Sequence, residues 1–192
     1  MKQLLISVIL FFTIGGAGIG LRATSNPDVK IQQAYRMMDE DRALMAEDLI
    51  HQAMDIYNKN NNKFGMAEAY HAYGNLYTSH SYHNKWATTF KKLGTYDGSY
   101  MKSIQNFEGS MKLFNEVSSE IGVVKSLIGI ANAYHQRNED NKACVYYKKV
   151  LSRYQEGKEN GTITEEPVIF DKRFKDMGQI INSYIKHYNC ST

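Results

Sequence analysis

From Gly122 to Tyr154, apolar residues recur three and four positions apart in two runs separated by a polar break. Val123, Leu127, Ile130, Ala131 and Tyr134 fall on one face of a helix; Ala143, Tyr146, Tyr147, Val150, Leu151 and Tyr154 fall on one face of a second. Between them, Asn138, Glu139, Asp140 and Asn141 carry side chains that compete with helical backbone bonds, so the chain turns there. The pattern predicts a helical hairpin, with Ala131 and Ala143 as the small residues where the helices approach.

The same spacing occurs earlier. Ser103, Phe107 and Ser110 repeat the second-helix pattern 40 residues before Ala143, and Ala46, Ile50 and Ala53 repeat it again. Tyr70, Tyr73, Gly74 and Tyr77 repeat the first-helix pattern. Ala46 and Ser103 are 57 residues apart, and so are Gly65 and Gly122. Against a 40-residue period this leaves about 17 extra residues, which fit between Tyr77 and Tyr100. Three hairpins are expected, at residues 28–60, 64–117 and 121–155, the second interrupted by an insertion at 78–99. Asn26-Pro27-Asp28 starts the first, with proline in the first turn and an acid at the positive end of the helix dipole. Asp39-Glu40-Asp41 marks its turn, and Asn58 to Lys63 separates it from the next unit.

Leu127, Ile130, Ala131 and Tyr134, followed by Ala143, Tyr147 and Val150, resemble the signature of the tetratricopeptide repeat family, in the branch whose repeats run to about 40 residues. Val150 stands where that family usually has alanine, and Gln155 where it commonly has proline. The resemblance covers roughly residues 28–155 and implies an all-α, right-handed superhelix of three helical hairpins with a C-terminal capping helix. It also implies a binding face. Asn75 and Asn132 directly follow the small residues Gly74 and Ala131, a slot where asparagines of peptide-gripping members bond ligand backbone in bidentate fashion. By the same resemblance, Glu68, His71, Lys125, Ile128, His135 and Gln136 line that groove, while the first repeat offers Tyr35 in the asparagine slot. An amide carries both a donor and an acceptor, so it pairs with a peptide unit of any sequence.

The cap is expected at 163–188, opening at Thr164-x-x-Pro167, with Ile169, Phe170, Phe174, Met177, Ile180, Ile181, Tyr184 and Ile185 as its apolar stripe. The insertion holds the only tryptophan, Trp86, with Phe90, Tyr96 and the bases Lys85, Lys91 and Lys92. Two readings stay open for it: an extra short helix packing Trp86 and Phe90 onto the stack, or a partner contact through Trp86.

Residues 1–23 read as a targeting segment: Lys2, an apolar run, small residues, then Arg22. It is either a cleaved secretory signal or an uncleaved anchor, since residues 4–21 are uncharged and long enough to span a bilayer marginally. Either way the domain is exported, periplasmic or secreted, or else membrane-anchored. Composition narrows the field further. Two prolines and 14 tyrosines suit an aromatic-packed helical fold, and a net charge of +3 makes no electrostatic case for nucleic acid. Cys144 and Cys190 are the only cysteines; in an oxidising compartment they could form a disulfide, or Cys144 could lie buried beside Ala143.

His71, His80 and His83 lack the partners and register of a metal site, and no nucleophile–base order, paired carboxylates or phosphate loop is present. No metal, no cofactor and no catalytic residue is expected, and a small-molecule substrate is not expected either. The chain reads as a non-enzymatic module that holds a partner protein or peptide segment, as adaptor or assembly factor. The rival reading is an immunity-type neutraliser that covers a toxin or enzyme with the insertion.

Overall fold

The structure is a computed structural model and describes residues 23–164, 174–188 and 190. Among the described residues it is all-helical, without strands. Helix α1 (Pro27–Asp39) begins where Asn26 turns its side-chain oxygen onto the free backbone N–H groups of Asp28 and Val29. It buries Ile31, Ala34, Met37 and Met38 against α2 (Ala43–Lys59), which answers with Ala46, Ile50 and Ala53, all fully buried. Helix α3 (Lys63–Leu76) starts under the cap of Asn62, whose side chain accepts from Gly65 N–H. Helix α5 (Met101–Glu116) pairs with α3 across the insertion. The last pair is α6 (Glu120–Gln136) and α7 (Asp140–Glu159).

Each helix packs on the next main helix of the chain, and the first helices of the hairpins also touch one another, α1 with α3 and α3 with α6. The repeat is written in the backbone as well. Arg42 N–H returns to Met37 carbonyl and Glu139 N–H to Tyr134 carbonyl, closing the first and third hairpins alike. Asn62 N–H returns to Tyr57 carbonyl and Ser119 N–H to Phe114 carbonyl, closing the two linkers alike. Each of these four turns carries one left-handed residue: Asp41, Asn138, Asn61 and Ser118, with φ between 51° and 59°. The linkers are clamped by matching contacts. A Cβ on Gly65 would lie 2.1 Å from the Tyr57 ring, and one on Gly122 would lie 2.4 Å from the Phe114 ring.

The insertion folds as a π-helical turn (Ser81–Lys85) followed by α4 (Ala87–Lys92). Tyr82 and Phe90 are fully buried, and the Tyr82 hydroxyl donates to Thr95 carbonyl while accepting from Asp97 N–H. Trp86 leans on the first hairpin, and its Nε1 donates to Asp41 carbonyl at 2.6 Å.

Helix α8 (Met177–His187) is shorter than the stripe predicts. Residues 165–173, including Pro167, Ile169 and Phe170, lie outside the described residues. Ile163 and Thr164 are not helical because Ile163 folds back to finish α7: its N–H reaches Gly157 carbonyl at 2.8 Å and its side chain seats on Gly157. Phe174 precedes the helix, whose N-cap is Asp176, accepting from Gln179 N–H. The helix packs on α7, with Ile181 fully buried and Tyr184 and Tyr188 against Tyr147. Cys144 and Cys190 are joined in a disulfide, Cα to Cα 5.3 Å, tying the end of the cap to the start of α7. No helix among the described residues is long and apolar enough to cross a membrane, and residues 1–22 lie outside them.

Candidate functional site

Because α1, α3 and α6 stand side by side, residues offset by 40 and then 57 positions fall into rows. Asp28, Glu68 and Lys125 form one; Ile31, His71 and Ile128 the next; Tyr35, Asn75 and Asn132 the third. Charge coupling supports the first row, since Glu68 feels both Lys125 and Asp28. Hydrogen bonds support the third, since Asn75 Nδ2 reaches Tyr35 Oη at 3.2 Å.

These rows border a hollow of about 500 Å³, lined by Tyr35, Met38 and Asp39 of α1, Glu68, His71 and Asn75 of α3, Ser79 and Lys125. Its centre is one network. Asn75 Nδ2 lies 3.0 Å from His71 Nδ1 and 3.0 Å from His71 carbonyl, and Tyr35 Oη lies 3.1 Å from the same Nδ1. Burial, with the nearby Lys125 charge second, lowers the His71 pKa to about 4, so the ring is neutral and Nδ1 accepts. Burial likewise pushes the Tyr35 hydroxyl well above its ordinary value, keeping it a donor. It also raises the Glu68 carboxyl, against the pull of Lys125 and with some help from Asp28.

Of the residues expected in the groove, Glu68, His71, Asn75 and Lys125 meet in this hollow. Asn132, Ile128, His135 and Gln136 continue along α6 and do not line it. Asn132 is exposed, and its Oδ1 accepts from the Tyr147 hydroxyl at 2.5 Å. Ile128 packs into the core shared by Phe114 and Val124. His135 pairs with Asp140 at 2.7 Å and stacks near Tyr188, while Gln136 is exposed. Trp86 lies away from the hollow, half-buried in the insertion.

The two asparagines differ from the bidentate pair that the resemblance implies. Asn75 spends its N–H groups inside the fold and keeps Oδ1; Asn132 spends Oδ1 on Tyr147 and keeps Nδ2. Together they offer one acceptor and one donor. Tyr35 stands in the asparagine slot that the sequence assigns to it, whereas Met38, Asp39 and Ser79 are lining residues that sequence reasoning missed. The signal was present, because Tyr35 is 40 positions before Asn75 and Asp39 is 40 before Ser79.

The histidine nitrogens go to protein partners: His83 Nε2 to Tyr77 carbonyl at 2.8 Å, and His80 Nδ1 to Asn84 at 3.2 Å. Among the described residues, no group of three His, Cys, Asp or Glu is placed to hold a metal ion. The hollow can donate and accept hydrogen bonds and counter a charge. Comparison with protein-family models, curated proteins and solved structures found no match to this chain.

Proposed function

We propose that this chain is a non-enzymatic interaction module, a right-handed stack of tetratricopeptide-like hairpins whose inner face holds an extended segment of a partner protein. The observation that carries the reading is the row Tyr35–Asn75–Asn132: three equivalent positions on three adjacent helices, beside a hollow of about 500 Å³. An extended segment needs such evenly spaced polar groups, because its own donors and acceptors recur along its length. The module works outside the cytosol, exported or held at a membrane by its N-terminal segment. The Cys144–Cys190 bridge supports this, since such bonds persist in oxidising compartments. The groove is favoured over the insertion as the binding surface because Trp86 and Phe90 are turned inward, leaving Leu93 and lysines outermost.

Cross-linking and pull-down of the full chain from its native host tests this. Asn132→Ala, at an exposed position, together with Asn75→Ala is expected to reduce partner recovery about tenfold or more. Leu93→Ala with Lys92→Glu is expected to leave it unchanged. Full capture by the asparagine pair variant, with loss in the insertion variant, would reverse the assignment in favour of a neutraliser.

A further inference from the structure

Apart from the Lys125 ammonium, the hollow between α1, α3 and α6 has spent its donors and kept its acceptors. Asn75 Nδ2 is committed to Tyr35 and His71, the Tyr35 hydroxyl faces His71 Nδ1, and Ser79 Oγ donates to Leu76 carbonyl at 2.7 Å. Among the described residues, by contrast, the carboxylates of Glu68 and Asp39 and Oδ1 of Asn75 have no hydrogen-bond donor and no ion-pair partner. Lys125 is the one cation of the lining, and it forms no ion pair with Glu68.

Glu68 is half-buried while Asp39 is exposed; a partly desolvated carboxylate such as Glu68 without donors is costly, and a cation rich in N–H groups relieves that cost. A phosphate or carboxylate ligand would face two acids with Lys125 alone in support. A neutral side-chain amide brings two donors for three acceptor groups. A guanidinium brings five and an ammonium three, each with a positive charge. Met38 and the Tyr35 ring supply apolar surface for an aliphatic stem.

We propose that this hollow is a specificity pocket for a basic side chain of the bound segment, its arginine guanidinium or lysine ammonium seated on Glu68 with Asp39 and Asn75 Oδ1 completing the acceptor set. The proposal rests on the groove reading above and adds the charge of the residue that the groove selects. Lys125 is the internal competitor for Glu68, so its removal strengthens capture.

The test is a nuclear magnetic resonance titration of the purified full chain at pH 7 with four probes: the N-acetyl, N-methylamide derivatives of arginine, lysine, norleucine and glutamate. The basic probes are expected to bind about tenfold more tightly than norleucine, shifting the amides of Tyr35, Glu68 and Asn75. Glu68→Gln is expected to erase that preference, and Lys125→Met to tighten the basic probes by about threefold or more. A gain of binding in Lys125→Met has no explanation in misfolding. Arginine and lysine probes distinguish the two cation sources. Equal binding of norleucine, or weaker binding of the basic probes to Lys125→Met, overturns the pocket. Partner capture that needs Asn132 but ignores Glu68→Gln also overturns the pocket, yet leaves the groove reading standing.

Discussion

Nδ2 of Asn75 lies 3.0 Å from Nδ1 of His71, and this contact assigns the proton of the imidazole. An amide nitrogen only donates, so Nδ1 accepts and the ring carries its hydrogen on Nε2. Protonating His71 would set two donors against each other at the centre of the hollow. The network therefore holds the side chains of Tyr35, His71 and Asn75 in one arrangement.

Stability should rise with pH between about 4 and the ordinary histidine value of 6.5. The folded ring takes up a proton less readily than the unfolded one, so in that window the unfolded chain binds more protons and acid favours unfolding. The contribution is complete above 6.5 and lost as the pH falls toward about 4. The raised Glu68 carboxyl works in the opposite direction from its own unfolded value upward, which flattens the slope. Urea denaturation at pH 4.5 and 7 is expected to give a difference from His71 of up to about 3 kcal/mol. That difference should disappear in His71→Gln. An equal pH dependence in the variant would refute the assignment.

Glycine to alanine inside a helix normally stabilises by about 1 kcal/mol. Gly109, in α5, should follow that rule, because a Cβ there would sit 3.5 Å from the Tyr70 ring, an ordinary contact. Gly65 should break it. Its Cβ would lie 2.1 Å from Tyr57, a fully packed ring at the first linker, so overpacking of about 1–3 kcal/mol wins. Chemical denaturation of the two variants is expected to give shifts of opposite sign.

Trp86→Phe keeps an aromatic ring but removes the N–H that holds Asp41 carbonyl. A loss of about 1 kcal/mol is expected, with faster proteolytic cutting at the Asp39–Arg42 turn. Unchanged cutting would mean that the insertion does not brace the first hairpin.

Replacing Cys144 and Cys190 together by serine opens a loop of 46 residues. In the chain-entropy model the unfolded state then gains freedom equivalent to about 4 kcal/mol, so the denaturation midpoint should fall. The reduced parent chain should match the double-serine variant within about 1 kcal/mol; a clear mismatch would show that strain or unfolded-state structure dominates.

Much of the fold was legible one residue at a time. Asn26-Pro27-Asp28 starts a helix through local chemistry, and Asp41, Asn61 and Asn138 turn the chain because their short side chains tolerate left-handed backbone. The 57-residue offset from Gly65 to Gly122 reappears as two equivalent ring-on-glycine contacts. The cap was read less well. Its apolar stripe runs back to Ile163, but Ile163 closes α7 against Gly157, a contact that periodicity does not encode. Four of the residues expected in a groove converge, while His135 turns to Asp140, because a residue type at the right spacing says nothing about which neighbour competes for it.

The order of residues by itself determined the helical periods, the turns and the interval at which both recur, because each is set by interactions a few positions apart. Only the tertiary structure decided how the polar groups around the hollow are spent. Tyr35 and Asn75 are 40 residues apart in the chain yet share a hydrogen bond, and that bond leaves Asn75 an acceptor rather than a two-way clamp. A buried polar group must find a partner, and which partner lies within 3 Å or so is a property of packed helices.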